Sequence, residues 1–259
     1  MKRLLRSSFA RNDALNLETS QVTPYNKSAS KKQQVEEMFD NIAPKYDFLN
    51  HLLSMNIDKL WRRKAMGYLK SSKPQSILDV ATGTGDFAIE LRKLHPKEII
   101  GADISEKMLQ IGREKIKKRN LNSLITLQRG DSEQLPFPDN RFDALTVAFG
   151  VRNFENLKAG LKEMCRVLKP NGMLVVLEFS KPQAFPVKQM FYFYFNYVLP
   201  VIGKIFSKDQ RAYTYLPESV RSFPEGKEFG KLLAEAGFKA VQCKSLTFGI
   251  ASIYTGEKS

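Results

Sequence analysis

From residue 76 onward, short runs of apolar residues alternate with longer segments in which apolar residues recur at helical spacing. Short apolar runs bounded by Gly, Pro or polar residues are typical of buried strands, and longer amphipathic segments are typical of helices. The pattern predicts strands over Ser76–Ala81, Glu98–Ala102, Leu124–Gln128, Phe142–Val147 and Met173–Phe179, and helices over Phe87–Leu94, Ser105–Arg119 and Asn156–Leu168. This alternation predicts an α/β fold in which the carboxyl ends of parallel strands meet at one crevice.

The segment before this sheet is basic and is predicted to be helical. Residues 31–72 are expected to form an N-terminal helical cap, with helices over Lys31–Phe39 and Asp58–Lys70 and a polar–aromatic turn over Asn41–Asn50. In the second helix Trp61 lies on the apolar face, while Arg62 and Arg63 lie on the basic face. Such a helix either packs on the domain by its apolar face or touches lipid. Residues 1–30 have little periodicity and are expected to form a mobile basic arm.

The C-terminal part departs from the alternation. Phe185–Phe206 is rich in aromatic residues but contains lysines and a proline, so an aromatic helical insertion is expected within residues 185–222. Within it, Asp209–Ser222 is predicted to be a polar loop. A helix is expected from about Pro224 to Ala236, and two β-like runs, Phe238–Cys243 and Thr247–Thr255, close the chain. Residues 31–259 are therefore predicted to form a single domain that carries the cap and the insertion.

Composition narrows the classes of function. The chain has 259 residues and a net charge of +14, with the excess of Lys and Arg mainly toward its front. No RNA-binding motif with stacking aromatic residues accompanies this charge, so no nucleic-acid partner is expected. The two cysteines have no CxxC spacing and form no cluster with the two histidines, which predicts a reducing, cytoplasmic compartment and no metal site. No uncharged run reaches the ~20 residues of a membrane-spanning helix.

A glycine-rich turn follows the first predicted strand and carries the clearest chemical signal. The sequence GTGDFA at residues 83–88 fits the spacing of a dinucleotide-binding turn, and Asp103 follows at the distance of an acid that binds a ribose. However, Asp79 and Asp86 bracket the turn, and a carboxylate about 4 Å from a phosphate costs roughly 4 kcal/mol. S-adenosylmethionine has no phosphate and carries an ammonium and a sulfonium, so an acidic turn suits it better. A close-packed turn without a ligand stays the alternative.

Several separated blocks of the sequence resemble one family. They are VEEMFDNIAPKYDFLNHLLSMNIDKLWR, ILDVATGTGDF, GADISEKML, LPFPDNRFDALTVAFGVRNF, RVLKPNGMLVVLEFSKP and YLPESVRSFP. From about residue 35 onward the chain resembles the ubiquinone/menaquinone biosynthesis C-methyltransferases, the UbiE family. The resemblance implies a class I S-adenosylmethionine-dependent methyltransferase fold, which is a seven-stranded, mostly parallel sheet of order 3-2-1-4-5-7-6 with helices on both faces.

The resemblance also implies S-adenosylmethionine as the cofactor and a set of contacts to it. Asp103 suits the ribose diol, Asp131 can accept a hydrogen bond from the adenine amino group, and Thr84 with the glycines of the turn can meet the amino-acid end. The predicted cofactor-binding residues are Asp79, Gly83, Thr84, Gly85, Asp103, Asp131 and Ser132. Ala148 stands where some relatives have a serine that contacts the cofactor, so that hydroxyl contact is left out of the expected set.

The implied reaction is transfer of a methyl group to a ring carbon of a polyprenylated quinol. In menaquinone pathways this reaction converts demethylmenaquinol to menaquinol. Three alternatives stay open: methylation of a methoxy-polyprenyl-benzoquinol in ubiquinone biosynthesis, methylation of another lipophilic acceptor, and a non-catalytic scaffold in a quinone-synthesis complex.

Three catalytic residues are implied by the same resemblance, because they fall in blocks whose family counterparts line the quinol pocket. Arg152 would stabilise the developing phenolate, directly or through a water, and Asn153 and Tyr46 would orient the ring hydroxyl. The alternative for Arg152 is a structural ion pair that holds its loop. A polyprenyl tail needs an apolar channel, and the aromatic stretch Met190–Val201 is expected to form its wall rather than an ordinary buried helix. Peripheral contact with the inner face of the membrane and assembly as a homodimer both stay open.

Overall fold

Seven strands form one sheet in the computed structural model, which describes residues 22–25, 27–199, 201, 209 and 211–259. The strands are β1 Ser76–Val80, β2 Glu98–Asp103, β3 Ile125–Arg129, β4 Phe142–Ala148, β5 Leu168–Phe179, β6 Phe238–Leu246 and β7 Ala251–Lys258. Their order is β3-β2-β1-β4-β5-β7-β6, and β7 is antiparallel to both of its neighbours. The predicted fold class and strand order are confirmed.

Helices cover both faces of the sheet. They are α1 Lys31–Leu53, α2 Ile57–Gly67, α3 Asp86–Leu91, α4 Glu106–Lys118, α5 Leu157–Val167, α6 Val187–Phe193, α7 Arg211–Ser222 and α8 Lys227–Glu235. One apolar core lies between the sheet and α5 with α8, and a second lies between the sheet and α2, α3 and α4. Because both faces are covered, β1 is buried along its whole length.

The N-terminal cap differs from its predicted form. A turn was expected over Asn41–Asn50, but α1 runs on through these residues with Pro44 inside it. Val35, Met38, Ile42 and Leu49 recur at helical spacing and pack in one apolar cluster, and this burial outweighs the backbone hydrogen bond that a proline removes. The prediction of a turn is therefore wrong, and α1 is a 23-residue helix.

The predicted polar loop at Asp209–Ser222 is also wrong, because Arg211–Ser222 forms helix α7. Its Tyr213, Tyr215 and Val220 are buried against α1 and α6 in the third apolar cluster. A sequence rich in Tyr, Arg and Ser suggests a solvated loop, but the rings here face inward. Helix α6 continues through a π turn at Tyr194–Val198. Together α1, α6 and α7 cover the carboxyl edge of the sheet.

The basic arm and the insertion extend beyond what the structure describes. Residues 1–21 and 26 of the predicted mobile arm, and residues 200, 202–208 and 210 of the insertion, lie outside the described residues. The described end of the arm contacts the domain, since Arg211 Nε donates to the Pro24 carbonyl at 2.6 Å and Lys27 pairs with Glu37 at 2.7 Å. Among the described helices, none is both long and apolar enough to cross a membrane.

Candidate active site

The glycine turn joins β1 to α3 and is tied to the end of β2. Ala81, Gly83 and Gly85 all have φ in the left-handed region, at 51°, 56° and 77°, so the chain reverses sharply before α3 begins. The Gly83 N–H donates to the Asp103 carboxylate at 2.8 Å, and the Ser105 N–H donates to it at 2.9 Å. This carboxylate therefore fixes the turn and faces the space above it.

Asp103 has an unusual acidity for a carboxylate. Burial raises its pKa to about 6, while the hydrogen bonds from the Ser105 and Gly83 backbone oppose the rise. The group is ionised at neutral pH and becomes protonated as the pH falls through about 6. An ionised carboxylate at this position can accept hydrogen bonds from a ribose diol.

A small cavity of about 70 Å³ lies above the turn. Four of the predicted cofactor residues line it, and so do two of the predicted catalytic residues: Gly83, Asp103, Asp131, Ser132, Tyr46 and Asn153. Ala148 also lines it, so the chain presents a methyl group at this position. The structure thus brings together residues that follow β1, β2, β3 and β4 in the sequence.

Helix α1 limits the size of this cavity. Lys32 pairs with Asp131 at 2.6 Å and with Glu133 at 3.4 Å, and Val35 and Phe39 line the same space. The volume admits only a few water molecules in this structure, less than S-adenosylmethionine occupies. The chemistry of the wall suits that molecule, because its carboxylates can accept hydrogen bonds from ribose hydroxyls and from an adenine amino group.

Three predicted cofactor residues do not line the cavity. Asp79 accepts hydrogen bonds from Thr82 and Thr146, both at 2.6 Å, and so links β1 to β4. Thr84 donates to Asp47 at 2.5 Å. Gly85 has a φ of 77°, which strains any other residue, and a Cβ atom there would also lie 3.3 Å from the Leu127 side chain. In this structure Asp79, Thr84 and Gly85 hold the turn, and their direct contact with a cofactor stays a prediction.

A larger, mainly apolar cavity of about 480 Å³ adjoins the small one. Its walls come from α1, α2, α6 and α7 and from the loop after β4, and include Ile42, Trp61, Phe179, Phe191, Phe195 and Leu199. This volume is in the range of pockets that bind organic ligands. The predicted aromatic stretch Met190–Val201 supplies one wall.

The two cavities share a wall. Phe39, Tyr46, Phe149 and Asn153 line both of them. The Tyr46 ring also packs over the glycine turn, since a Cβ atom on Gly83 would lie 4.0 Å from it. A chemical group that is transferred from a molecule in the small cavity to a molecule in the large cavity would therefore pass this shared wall.

Arg152 lies at the edge of the large cavity, in a single 3-10 turn after β4. Its Nη1 donates to Glu178 at 2.7 Å and also to the Phe149 carbonyl. The Arg152 side chain is 9% exposed and that of Glu178 is fully buried. Burial raises the pKa of Glu178, and the charge of Arg152 opposes the rise. The ion pair that the sequence analysis gives as the alternative role of Arg152 is therefore present, and the Arg152 guanidinium also faces the cavity.

Three buried polar atoms lack a hydrogen-bond partner among the described residues. They are Arg152 Nε, Asn153 Oδ1 and the Tyr215 hydroxyl oxygen, and all three residues line the large cavity. A buried polar atom without a partner costs roughly 1–3 kcal/mol, so such atoms are unusual in a folded protein. Their grouping around one cavity indicates a place where a polar group of a ligand would be bound.

Sequence reasoning missed several residues of this cavity. Arg62 was expected on a solvent-facing basic surface, but its side chain is only 11% exposed and lines the cavity with Asp58. The sequence pattern predicts a loop at Tyr215 and only the end of a strand at Glu178. The sequence does carry a signal for Asp58 and Arg62, because these residues have the i,i+4 spacing of a helical ion pair.

Comparison with solved structures supports the fold. The chain is similar to the crystal structure of a SAM-dependent methyltransferase from Thermotoga maritima, with a TM-score of 0.60 and 21% identity. The match covers 86% of this chain and 99% of that one. At this identity the likeness shows the fold alone.

Comparison of sequences identifies the family. The chain is 53% identical to the demethylmenaquinone methyltransferase of Bacteroides fragilis over 94% of its own length and the whole of that relative. It is 48% identical to the ubiquinone/menaquinone biosynthesis C-methyltransferase UbiE of Geotalea daltonii, over 90% of this chain and 99% of that one. Residues 27–258 match the ubiE/COQ5 methyltransferase family. The chain therefore belongs to the ubiE/COQ5 methyltransferase family and uses S-adenosylmethionine as its methyl donor.

Proposed function

We propose that this enzyme transfers the methyl group of S-adenosylmethionine to a ring carbon of demethylmenaquinol, which gives menaquinol. One observation carries the proposal: a small cavity with carboxylates suited to the cofactor shares a wall with a large apolar cavity suited to a lipophilic acceptor. The name of the Bacteroides fragilis relative specifies demethylmenaquinone as acceptor.

The small cavity is proposed to hold the cofactor. Asp103 would accept the ribose hydroxyls, Asp131 would accept the adenine amino group, and the Gly83 backbone would face the amino-acid end. Asp131 is paired with Lys32 at 2.6 Å, so an outward movement of α1 that makes room for the cofactor would also release this carboxylate.

The chemistry requires an electron-rich ring carbon that approaches the methyl group in line with the sulfonium. As the new C–C bond forms, the S–CH₃ bond breaks and its electron pair stays on sulfur. The quinol hydroxyl loses its proton to water as this bond forms. Loss of the proton on the methylated ring carbon to water then restores the aromatic ring, and the phenolate oxygen takes up a proton to give menaquinol. A free phenol has a pKa of about 10, so the enzyme must favour the anionic oxygen.

Arg152, Asn153 and Tyr46 are proposed to meet that oxygen. Arg152 is a permanent cation whose Nε has no hydrogen-bond partner in the described part of the chain, so it can donate to a phenolate at little cost to its bond with Glu178. Asn153 and Tyr46 belong to the wall shared by the two cavities, where they would orient the ring against the methyl group. Burial raises the pKa of Tyr46, so it would act as a neutral hydrogen-bonding group.

The large cavity is proposed to receive the first part of the prenyl tail. Its wall of Phe191, Phe195 and Leu199 is buried and apolar, and Phe191 stacks on Phe195 with ring centroids 4.1 Å apart. Met55 and Phe248 line the same cavity but are 77% and 79% exposed, so they mark its opening to the surface.

Contact with a membrane surface is proposed at this opening. Phe193 and Tyr197 are 61% and 66% exposed on the outer side of the helix whose inner side walls the cavity, and Met190, which lines the cavity, is itself 67% exposed. Helix α2 begins next to the opening and exposes basic residues that would favour anionic lipid. A homodimer could instead cover this face, and the concentration dependence of the sedimentation coefficient separates the two arrangements.

The test is a comparison of acceptors. Purified enzyme is incubated with methyl-labelled S-adenosylmethionine and either demethylmenaquinol or a methoxy-polyprenyl-benzoquinol. We expect the higher kcat/KM with demethylmenaquinol. The opposite preference would favour the ubiquinone pathway, which the name of the Geotalea daltonii relative includes. Binding of S-adenosylmethionine without transfer to either quinol would favour the scaffold.

A further inference from the structure

Arg62 is a charged residue in an apolar wall, and its position needs an explanation. Its side chain is 11% exposed, whereas that of Arg63, the next residue on α2, is 58% exposed. Arg62 lines the large cavity beside Trp61. Removing a guanidinium from water is costly unless it is paired, and a helix that only packed on the domain would place an apolar residue here.

Asp58 holds the Arg62 guanidinium in place. Arg62 Nη1 donates to Asp58 Oδ2, and the Ser54 hydroxyl donates to Oδ1 at 2.6 Å. His51 Nδ1 lies 3.1 Å from Oδ2. Burial acts to raise the pKa of Asp58, but the hydrogen bond from Ser54 and the charge of Arg62 lower it below its usual range. An ionised carboxylate with several partners fixes one nitrogen of Arg62 and leaves its other N–H donors for a ligand.

Arg62 and Arg152 border the same aromatic surface. The Arg62 guanidinium carbon lies 5.6 Å from the centre of the Phe149 ring, and that of Arg152 lies 5.5 Å from the centre of the Phe179 ring. The two rings are 4.7 Å apart between centroids. The charges of both arginines act on the Tyr46 hydroxyl. Two cations thus lie over an aromatic floor formed by two neighbouring rings that are tilted by 36° to each other.

We propose that Arg62 binds the second ring oxygen of a 1,4-quinol, opposite the oxygen that meets Arg152, and that Asp58 positions Arg62 for this contact. The inference rests on the proposed function for the class of acceptor. A 1,4-quinol carries its two oxygens at opposite ends of a flat ring, and one guanidinium cannot reach both. Two guanidiniums beside one aromatic floor match that shape. The site therefore selects rings with two para oxygens over rings with a single hydroxyl.

A specificity measurement tests this contact. We compare kcat/KM for a short-tailed 1,4-naphthoquinol with kcat/KM for the naphthol that lacks the hydroxyl remote from the methylated carbon. Arg62→Gln should lower the preference for the diol about tenfold or more, the effect of losing a charge-assisted hydrogen bond. Arg62→Lys should recover part of the preference. Arg63→Gln is the matched control and should keep it. An equal loss on both acceptors in Arg62→Gln, or an unchanged preference, would overturn the proposal.

A binding measurement separates this inference from the proposed function. Trp61 is the single tryptophan of the chain and lines the cavity, so its fluorescence reports a ligand without turnover. We expect a short-tailed 1,4-naphthoquinone to quench the wild type and Arg63→Gln with equal affinity, and Arg62→Gln with about tenfold lower affinity. If the wild type binds this probe but transfers no methyl group to the corresponding quinol, the proposed function fails and the inference stands. If the wild type does not bind it, or Arg62→Gln binds it equally well, the inference fails.

Discussion

Replacing Arg152 by alanine should affect both stability and turnover, and the structure separates the two effects. The substitution leaves the fully buried Glu178 without the guanidinium that donates to it at 2.7 Å. The remaining carboxylate keeps only the backbone N–H groups of Phe179 and of residue 152 as partners, so burial favours its protonated form. Removing one partner of a buried ion pair costs about 3–5 kcal/mol.

The same reasoning fixes how this cost depends on pH. The folded-state pKa of Glu178 in the variant is raised above its unfolded value, so stability is fully present below about pH 4.3 and is lost as the pH rises. The destabilisation should therefore be smaller at pH 5 than at pH 7, where about 3–5 kcal/mol is expected. Urea denaturation of the wild type and Arg152→Ala at both pH values measures it. Arg152→Ala combined with Glu178→Gln removes the titrating group and should show no such pH dependence.

Turnover is then measured in the double variant, where loss of the charge pair no longer unfolds the chain. If Arg152 stabilises the phenolate, kcat should fall at least about tenfold, or about 1.4 kcal/mol in barrier, while the affinity for S-adenosylmethionine is kept. Equal destabilisation of Arg152→Ala at pH 5 and pH 7 would refute the ion-pair argument. Normal turnover in the folded double variant would remove Arg152 from the mechanism.

Three further predictions concern the cofactor, the quinol and the membrane. Because burial raises the pKa of Asp103 to about 6, the affinity for S-adenosylmethionine should fall as the pH drops through that value. Asp103→Asn should weaken binding by about 1.5–3 kcal/mol and remove the pH dependence. Calorimetric titration measures both effects, and the same pH dependence in the wild type and the variant would contradict the prediction. Tyr215→Phe removes a buried hydroxyl that has no hydrogen-bond partner among the residues the structure describes, so the free energy of unfolding should stay equal or rise by about 1 kcal/mol while KM for the quinol rises. A clear loss of stability with unchanged KM would argue against a role for this hydroxyl in binding. Phe193→Ser with Tyr197→Ser should reduce co-sedimentation with anionic vesicles without lowering the melting temperature, and undiminished sedimentation would count against contact through this face.

The sheet and the cofactor side of the site could be predicted from sequence, for a physical reason. Parallel strands covered on both faces are continuous apolar runs, and β1 is buried at all of its five positions. Gly83, Asp103 and Asp131 follow the carboxyl ends of β1, β2 and β3, so the topology alone brings them to one cavity. The glycine turn and Asp103, which accepts its Gly83 N–H, could be recognised from the sequence without knowledge of tertiary packing.

The acceptor side could not be predicted in the same way, because packing between helices decides it. The polar–aromatic segment Asn41–Asn50 indicates a turn, but the burial of Met38 and Leu49 keeps α1 continuous through Pro44. Arg62 has the charge of a surface residue and reaches the cavity only because Asp58, one turn earlier, holds it there. Tyr215 looks polar in sequence, yet its ring packs in an apolar cluster.

The central claim is that the wall shared by the two cavities is the place where a methyl group passes from sulfur to a ring carbon. The ¹³C NMR spectrum of the product tests it most directly, after incubation of the enzyme with ¹³C-methyl-labelled S-adenosylmethionine and demethylmenaquinol. The account predicts one labelled methyl carbon bonded to the aromatic ring, with both ring hydroxyls free. A labelled methoxy carbon, or an unlabelled quinol recovered from enzyme that binds both ligands, would contradict it.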